Sequence, residues 1–188
     1  MKNVLLGCAA ALLLGIAVPS WASYADDRAE IENLSNKYMV AVDAGDIDTV
    51  MSTWAEDGVL ISVFGADRGK AAIRKSMSDF GGARRQQIPE NATSRPRTRH
   101  QIINHVIDVN GNTATTIAYW FALTNNTPQK DVQLLYFGHY EDELVKVNGK
   151  WLFKSRKVYN ESMPNRAVVY PGLHEKDPRK PAAPAASR

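Results

Sequence analysis

TRHQIINHVIDVNGNTATTIAYWFALT, residues 98–124, decides the fold class. From Thr98 to Val109 and again from Thr113 to Thr124 the residues are β-branched, aromatic or otherwise apolar at a period of two. Between the runs stands Asn110-Gly111, a strong short signal for a hairpin. Two further runs follow, Val132–Val147 and Lys150–Tyr159, the second hairpin being marked by Asn148-Gly149. The C-terminal half therefore reads as a meander of long antiparallel strands.

Upstream the period changes to that of a helix. Ile31, Leu34, Tyr38 and Val42 recur at helical spacing, Asp27 and Glu30 suggest a capping box, and Gly45 offers a left-handed stop. A first helix is expected from about Asp27 to Ala44. Asp46 should cap a second, shorter helix through Trp54, ended by Asp57-Gly58. Val59–Phe64 is a short β-rich run, and Gly69–Phe80 reads as a third helix with Ala72, Ile73 and Met77 inward. Gly81–Arg97, polar and twice interrupted by proline, reads as a loop or lid. Helices followed by a meander make an α+β domain, with helices segregated to one side of a curved sheet.

The 188 residues leave room for one domain with a sizeable core, and four Trp, seven Tyr and five Phe exclude a disordered chain. Cys8 is the single cysteine, so neither an intramolecular disulfide nor a cysteine zinc site can form. No histidine has metal-ligand spacing, no glycine-rich phosphate loop is visible, and neither a metal nor a cofactor is expected. The net charge of +3 is too mild to argue for nucleic acid. It is unevenly placed, with nine acids against two bases over Asp26–Asp57 and nine bases against two acids over Arg68–Arg99. That asymmetry fits opposed faces of one fold better than a polyanion-binding tail.

Residues 1–22 read as an address. Lys2 precedes an apolar run from Val4 to Val18, too short to span a membrane, and Ser20-Trp21-Ala22 suits a signal peptidase. Cleavage after Ala22 would leave a domain over 23–163 in the periplasm or outside the cell. Too few apolar residues precede Cys8 for a lipid anchor. Residues 164–188 turn proline-rich. Val168-Val169-Tyr170 is apolar enough to dock over the domain, and Pro178–Arg188 reads as disordered.

Among residues able to do chemistry, Asp43 lies two positions before Gly45, where the helix dipole presents partial negative charge. A solvated carboxylate at a frayed end is the plainer reading. His100 by alternation shares a face with Ile102, Asn104 and Val106, while His105 takes the other. His105 and His139 are expected to be ordinary hydrogen-bonded residues. Arg156 alternates with Leu152, Lys154 and Val158, opposite Trp151 and Phe153; a surface arginine is the plainer reading, and periodicity alone does not overturn it. Tyr38 falls on the apolar stripe of the first helix, a core aromatic with its hydroxyl at the rim.

Trp54-x-x-Asp57-Gly58, Arg68-Gly69-Lys70-x-x-Ile73, Arg99-His100-Gln101-Ile102-Ile103-Asn104, Val109-Asn110-Gly111-Asn112-x-Ala114 and Gly138-His139-Tyr140-Glu141-Asp142 stand in sequence, followed by Asn148-Gly149-Lys150-Trp151. In order and spacing this resembles the SnoaL-like branch of the nuclear transport factor 2-like superfamily, over roughly Asp27 to Tyr159. The resemblance implies a cone-shaped, half-open α+β barrel closed at one end by helices over a deep apolar pocket. It also implies homodimers or homotrimers, the common assemblies of the branch. Bile-acid 7α-dehydratase, scytalone dehydratase and lindane dehydrochlorinase belong to it and use an Asp–His pair without a cofactor. By that resemblance His100 is a general base, Asp43 its partner, and Tyr38 and Arg156 donors to developing negative charge. Asn104, Trp54, Tyr136 and Tyr140 are then expected to bind substrate. The implied activity is a cofactor-independent lyase. It would act on a hydrophobic aromatic or multi-ring alcohol, by dehydration or by deformylation of a diarylpropane diol. Two alternatives stay open: a secreted binding module for an apolar ligand, and an isomerase of the ketosteroid type.

Overall fold

A computed structural model describes residues 23–86, 97–127, 129 and 131–164. The signal segment, residues 87–96 of the expected lid, and the C-terminal segment beyond Pro164 lie outside the described residues.

The first helix, α1 (Tyr24–Ala44), begins three residues earlier than the apolar stripe suggests. Ser23, not Asp27, is its cap, and its side chain and that of Asp26 form the reciprocal capping box. Asp27 is thereby free to bond elsewhere. It accepts from Lys146 Nζ at 2.6 Å and Trp151 Nε1 at 2.8 Å, pinning the start of α1 to the sheet. Gly45 ends the helix at φ 72°, as its position predicts. Asp46 caps α2 (Ile47–Ser52) through Thr49 N. Trp54 is not in that helix; it opens β1 (Trp54–Ser62), because Thr53 Oγ1 and the helix end close on Val50 O and leave the next residue extended. A short strand absent from the sequence reading, β2 (Gly65–Arg68), returns along β1, and α3 (Lys70–Gln86) runs six residues beyond Phe80 into the expected loop.

The meander forms as read: β3 (Thr98–Asn110), β4 (Thr113–Thr124), β5 (Gln133–Val147) and β6 (Lys150–Asn160). The β5–β6 turn has positive φ at both central residues, Asn148 and Gly149, as a type I′ turn demands. The six strands make one sheet in the order β2-β1-β6-β5-β4-β3, all pairs antiparallel except β1 with β6. Its two edges, β2 and β3, do not meet, so it curves without closing. The helices cover one face, α1 lying against β3 and β6. Between them sits a core that includes Ile31, Met39, Val50, Ile73, Ile107, Leu144 and Phe153. Arg74 of α3, in the basic stretch, reaches Asp48 of α2, in the acidic one, at 2.8 Å.

Two bulges decide what the inner face carries. On β3 the register passes from Ile103↔Tyr119 to Val106↔Ile117, so Asn104 and His105 share one opposing residue, and Asn104 takes φ 52°. On β6 it passes from Leu144↔Phe153 to Glu143↔Ser155, leaving Lys154 extra. Each bulge shifts the side-chain period by one position.

Candidate active site

Rows of paired residues cross the inner face. His100, Ala122 and Tyr136 form one; Ile102, Trp120 and Gly138 the next; then Ala118, Tyr140 and Val158; then Thr116, Asp142 and Arg156. Residues paired directly across antiparallel strands point to the same side, so these rows step from the start of β3 toward the floor.

At the outer end the last turn of α1 meets the first turns of β3. His100 Nδ1 lies 2.7 Å from Asp43 Oδ1, and the His100 backbone N–H donates to Oδ2 at 2.9 Å. The side chains are 7% and 16% exposed for Asp43 and His100, so the solvated-end reading of Asp43 is set aside. No basic residue stands in the last turn of α1, and the dipole there disfavours a carboxylate. The two N–H groups of His100 relieve that misfit. Donation from Nδ1 to a carboxylate fixes the tautomer in which Nε2 carries a lone pair, the arrangement of a histidine base.

The inner end is a buried ion pair. Arg156 Nε and Nη2 donate to the two oxygens of Asp142 at 2.9 and 2.7 Å, and Thr116 Oγ1 donates to Asp142 at 3.2 Å. The guanidinium carbon lies 4.5 Å from the Tyr38 ring centre, 4.4 Å from that of Tyr140 and 4.0 Å from that of Phe153. Burial opposes the charge on Arg156, but Asp142 outweighs it and holds the pKa above the ordinary arginine value. Burial raises the phenols of Tyr38 and Tyr140 and keeps both protonated, although Arg156 works against it. Trp120 joins the two ends, 6.0 Å from the His100 ring and stacked on Tyr140 at 5.7 Å.

The expected residues are not all brought together. Asp43 and His100 touch. Tyr38, Arg156, Tyr140 and Trp54 belong to the inner aromatic cluster, Tyr38 meeting Trp54 edge-on at 6.2 Å. Tyr136 is half exposed in the row of His100. Asn104 does not join them: the β3 bulge exposes it, and His105 turns inward in its place. The expectation that His105 faces away, hydrogen-bonded, is thereby corrected; its Nε2 is buried without a partner among the described residues. The β6 bulge likewise overturns the surface reading of Arg156, which is 1% exposed and shares the inner face with Trp151 and Phe153. Asp142, Thr116 and Trp120 were missed. Alternation along β5 from Tyr140 to Leu144 puts Asp142 inward, and a carboxylate between two buried apolar residues was the available signal. An open depression of about 990 Å³ near the β3–β4 turn includes Trp54 but none of Tyr38, Asp43, His100 or Arg156. Among the described residues no three of His, Cys, Asp and Glu cluster as a metal would need.

Solved structures share this fold. A nuclear transport factor 2-like protein with a cystatin-like fold from Novosphingobium aromaticivorans is 20% identical, matching 78% of this chain and 90% of its own at a TM-score of 0.60. A protein of the same organism, provisionally described as a scytalone dehydratase, is 22% identical over 71% of this chain and 83% of its own, with a TM-score of 0.57. ActVI-ORFA of Streptomyces coelicolor is 21% identical over 72% and 98%, with a TM-score of 0.59. No curated protein sequence matches the chain. The model of the SnoaL-like domain matches residues 23–157, and the chain belongs to that family.

Proposed function

We propose that the protein is a cofactor-independent lyase acting on a hydrophobic aromatic or multi-ring alcohol. The observation that carries this reading is the two-point contact of Asp43 with His100, which orients a histidine as a base beside an aromatic wall. In this reading His100 Nε2 removes an acidic C–H proton, the freed pair forms the double bond, and the C–O bond breaks. The imidazolium then returns the proton to the departing hydroxyl, which leaves as water. Asp43 stabilises the imidazolium by charge. Tyr38 and Arg156 act at the inner end, where donors meet the negative charge that develops as the proton is lost. Loss of formaldehyde from a diarylpropane diol uses the same base on the hydroxymethyl proton. The C–C bond to that carbon breaks to release formaldehyde, its pair forms the new double bond, and the benzylic hydroxyl departs as water with the proton that His100 carries.

Incubating the purified protein with a panel of aromatic diols and polycyclic alcohols, followed by mass detection, tests this. Loss of water or formaldehyde from one member is expected. Binding without conversion across the panel would favour a secreted carrier of apolar ligands.

A further inference from the structure

Among the described residues two non-glycine residues take positive φ, and both are asparagines. Asn148 is called for by the β5–β6 turn. Asn104 lies inside β3, at φ 52°, where no chain reversal requires it. Such an angle is uncommon outside glycine, although asparagine tolerates it better than most. Asn104 occupies the first position of the bulge, the place a glycine takes in bulges with a left-handed residue. It is also exposed, so what it does for the buried groups it does through the backbone.

That left-handed residue reconciles two demands on one strand. Alternation from His100 alone would carry Asn104, Val106 and Asp108 inward and turn Ile107 and Val109 out. Yet Ile107 is buried in the core, Val109 packs against it, and Asp108 is exposed. Alternation counted back from Ile107, with no extra residue, would turn His100 outward and away from Asp43. Both placements hold because Asn104 is spare: Ile103 faces Tyr119, Val106 faces Ile117, and Asn104 and His105 fall together between them. The core side of the bulge is anchored to α1, Tyr24 Oη donating to Ile107 O at 3.1 Å and Arg28 Nη2 to His105 O at 3.4 Å. The side that gives way is then the one bearing His100.

We propose that Asn104 is a positioning residue for the Asp43–His100 pair. Its left-handed backbone absorbs one residue of β3, so that the stretch bearing His100 and the stretch buried in the core face the same side. A strand unable to bulge here must choose between them. Turning Asp108 inward in place of Ile107 would bury an unpaired charge, so Ile107 stays and His100 is lost from the inner face. The proposal deepens the lyase reading and rests on it for turnover alone, since the pairing itself is read without a substrate.

Three variants of the otherwise full chain test it. Asn104→Gly keeps the left-handed angle, and Asn104→Val opposes it, since a β-branched residue is an outlier there. Deletion of Asn104 removes the spare residue and leaves His100 and Ile107 in step. The proton that His100 Nδ1 donates to a carboxylate gives a far-downfield magnetic resonance signal, identified by its loss in His100→Ala. The signal should be present in the wild type, in Asn104→Gly and in the deletion, and absent in Asn104→Val. On an alcohol that the wild type converts, kcat should fall at least about 10²-fold in Asn104→Val, as for loss of the base, and be restored in Asn104→Gly. A bulge that served only the strand's stability would lower the melting temperature of Asn104→Val and leave the signal in place. Retention of the signal in folded Asn104→Val would therefore overturn the proposal. So would its loss in the deletion or in Asn104→Gly, and these two decide the matter should Asn104→Val fail to fold. The expected pattern of signals with no alcohol converted would leave the positioning role standing and remove the lyase.

Discussion

Asp43 is held at two points by one residue, and the two contacts do different work. The backbone N–H of His100 fixes where the carboxylate sits, while Nδ1 reads its charge. Asp43→Asn keeps an oxygen for the backbone contact and loses the charge that an imidazolium needs. Turnover should fall about 10²–10⁴-fold with the melting temperature little changed, checked by steady-state rates beside circular dichroism. His105 is a different case, a histidine turned inward with no hydrogen-bond partner for Nε2 among the described residues. Burial is the first cause of its lowered pKa; Asp142 and Glu32 raise it, while Arg156 and Arg28 lower it. With the folded pKa below the ordinary 6.5, the unfolded chain takes up a proton first as pH falls. Stability should therefore be lost as pH drops through about 6.5 and below, and His105→Phe should flatten that part of a denaturation-against-pH curve. A wild-type curve no steeper than the variant's would contradict the buried placement. At this scale the pairing of Asp43 with His100 was legible only through resemblance, because the contact joins residues 57 positions apart and no spacing rule links them.

The long strands and both hairpins could be read from the sequence, since period two and Asn-Gly turns act locally. What escaped was the bulge. Nothing in Asn104-His105 or Lys154-Ser155 announces an extra residue, yet each shifts every inward position beyond it, and the three misplaced side chains, Asn104, His105 and Arg156, all follow from those two events. The bulge also gives β6 its inward arginine opposite the inward aspartate of β5. Close strand approach leaves another mark at Gly138, where an added Cβ would lie 1.8 Å from Tyr159 O. Backbone must move to admit it, so Gly138→Ala should cost on the order of 1–3 kcal/mol or more, read as a shift in the urea midpoint. A variant as stable as wild type would mean that β5 and β6 are not this closely apposed. Trp54 shows the same limit for helices. Asp46 marked the start of α2, but its end depends on Thr53 closing back on Val50, a contact that helical spacing of apolar residues does not reveal.

Across the whole molecule, the helices over an unclosed curved sheet place a part-buried dyad on the edge strand and a fully buried ion pair at opposite ends of one aromatic row. Family membership follows from the match over residues 23–157, and the proposed chemistry from the side chains on that row. Secretion is a separate expectation resting on residues 1–22. Protein recovered from the producing cell should begin at Ser23, and N-terminal sequencing that starts at Met1 would remove it. The base itself is the claim on which the rest turns, and the turnover of His100→Ala tests it most directly. On whichever alcohol the wild type converts, the folded variant should retain ligand affinity and lose activity by at least about 10²-fold, the contribution of a positioned general base. Turnover undiminished in a folded His100→Ala would contradict the proposed mechanism, whatever ligand the inner end holds.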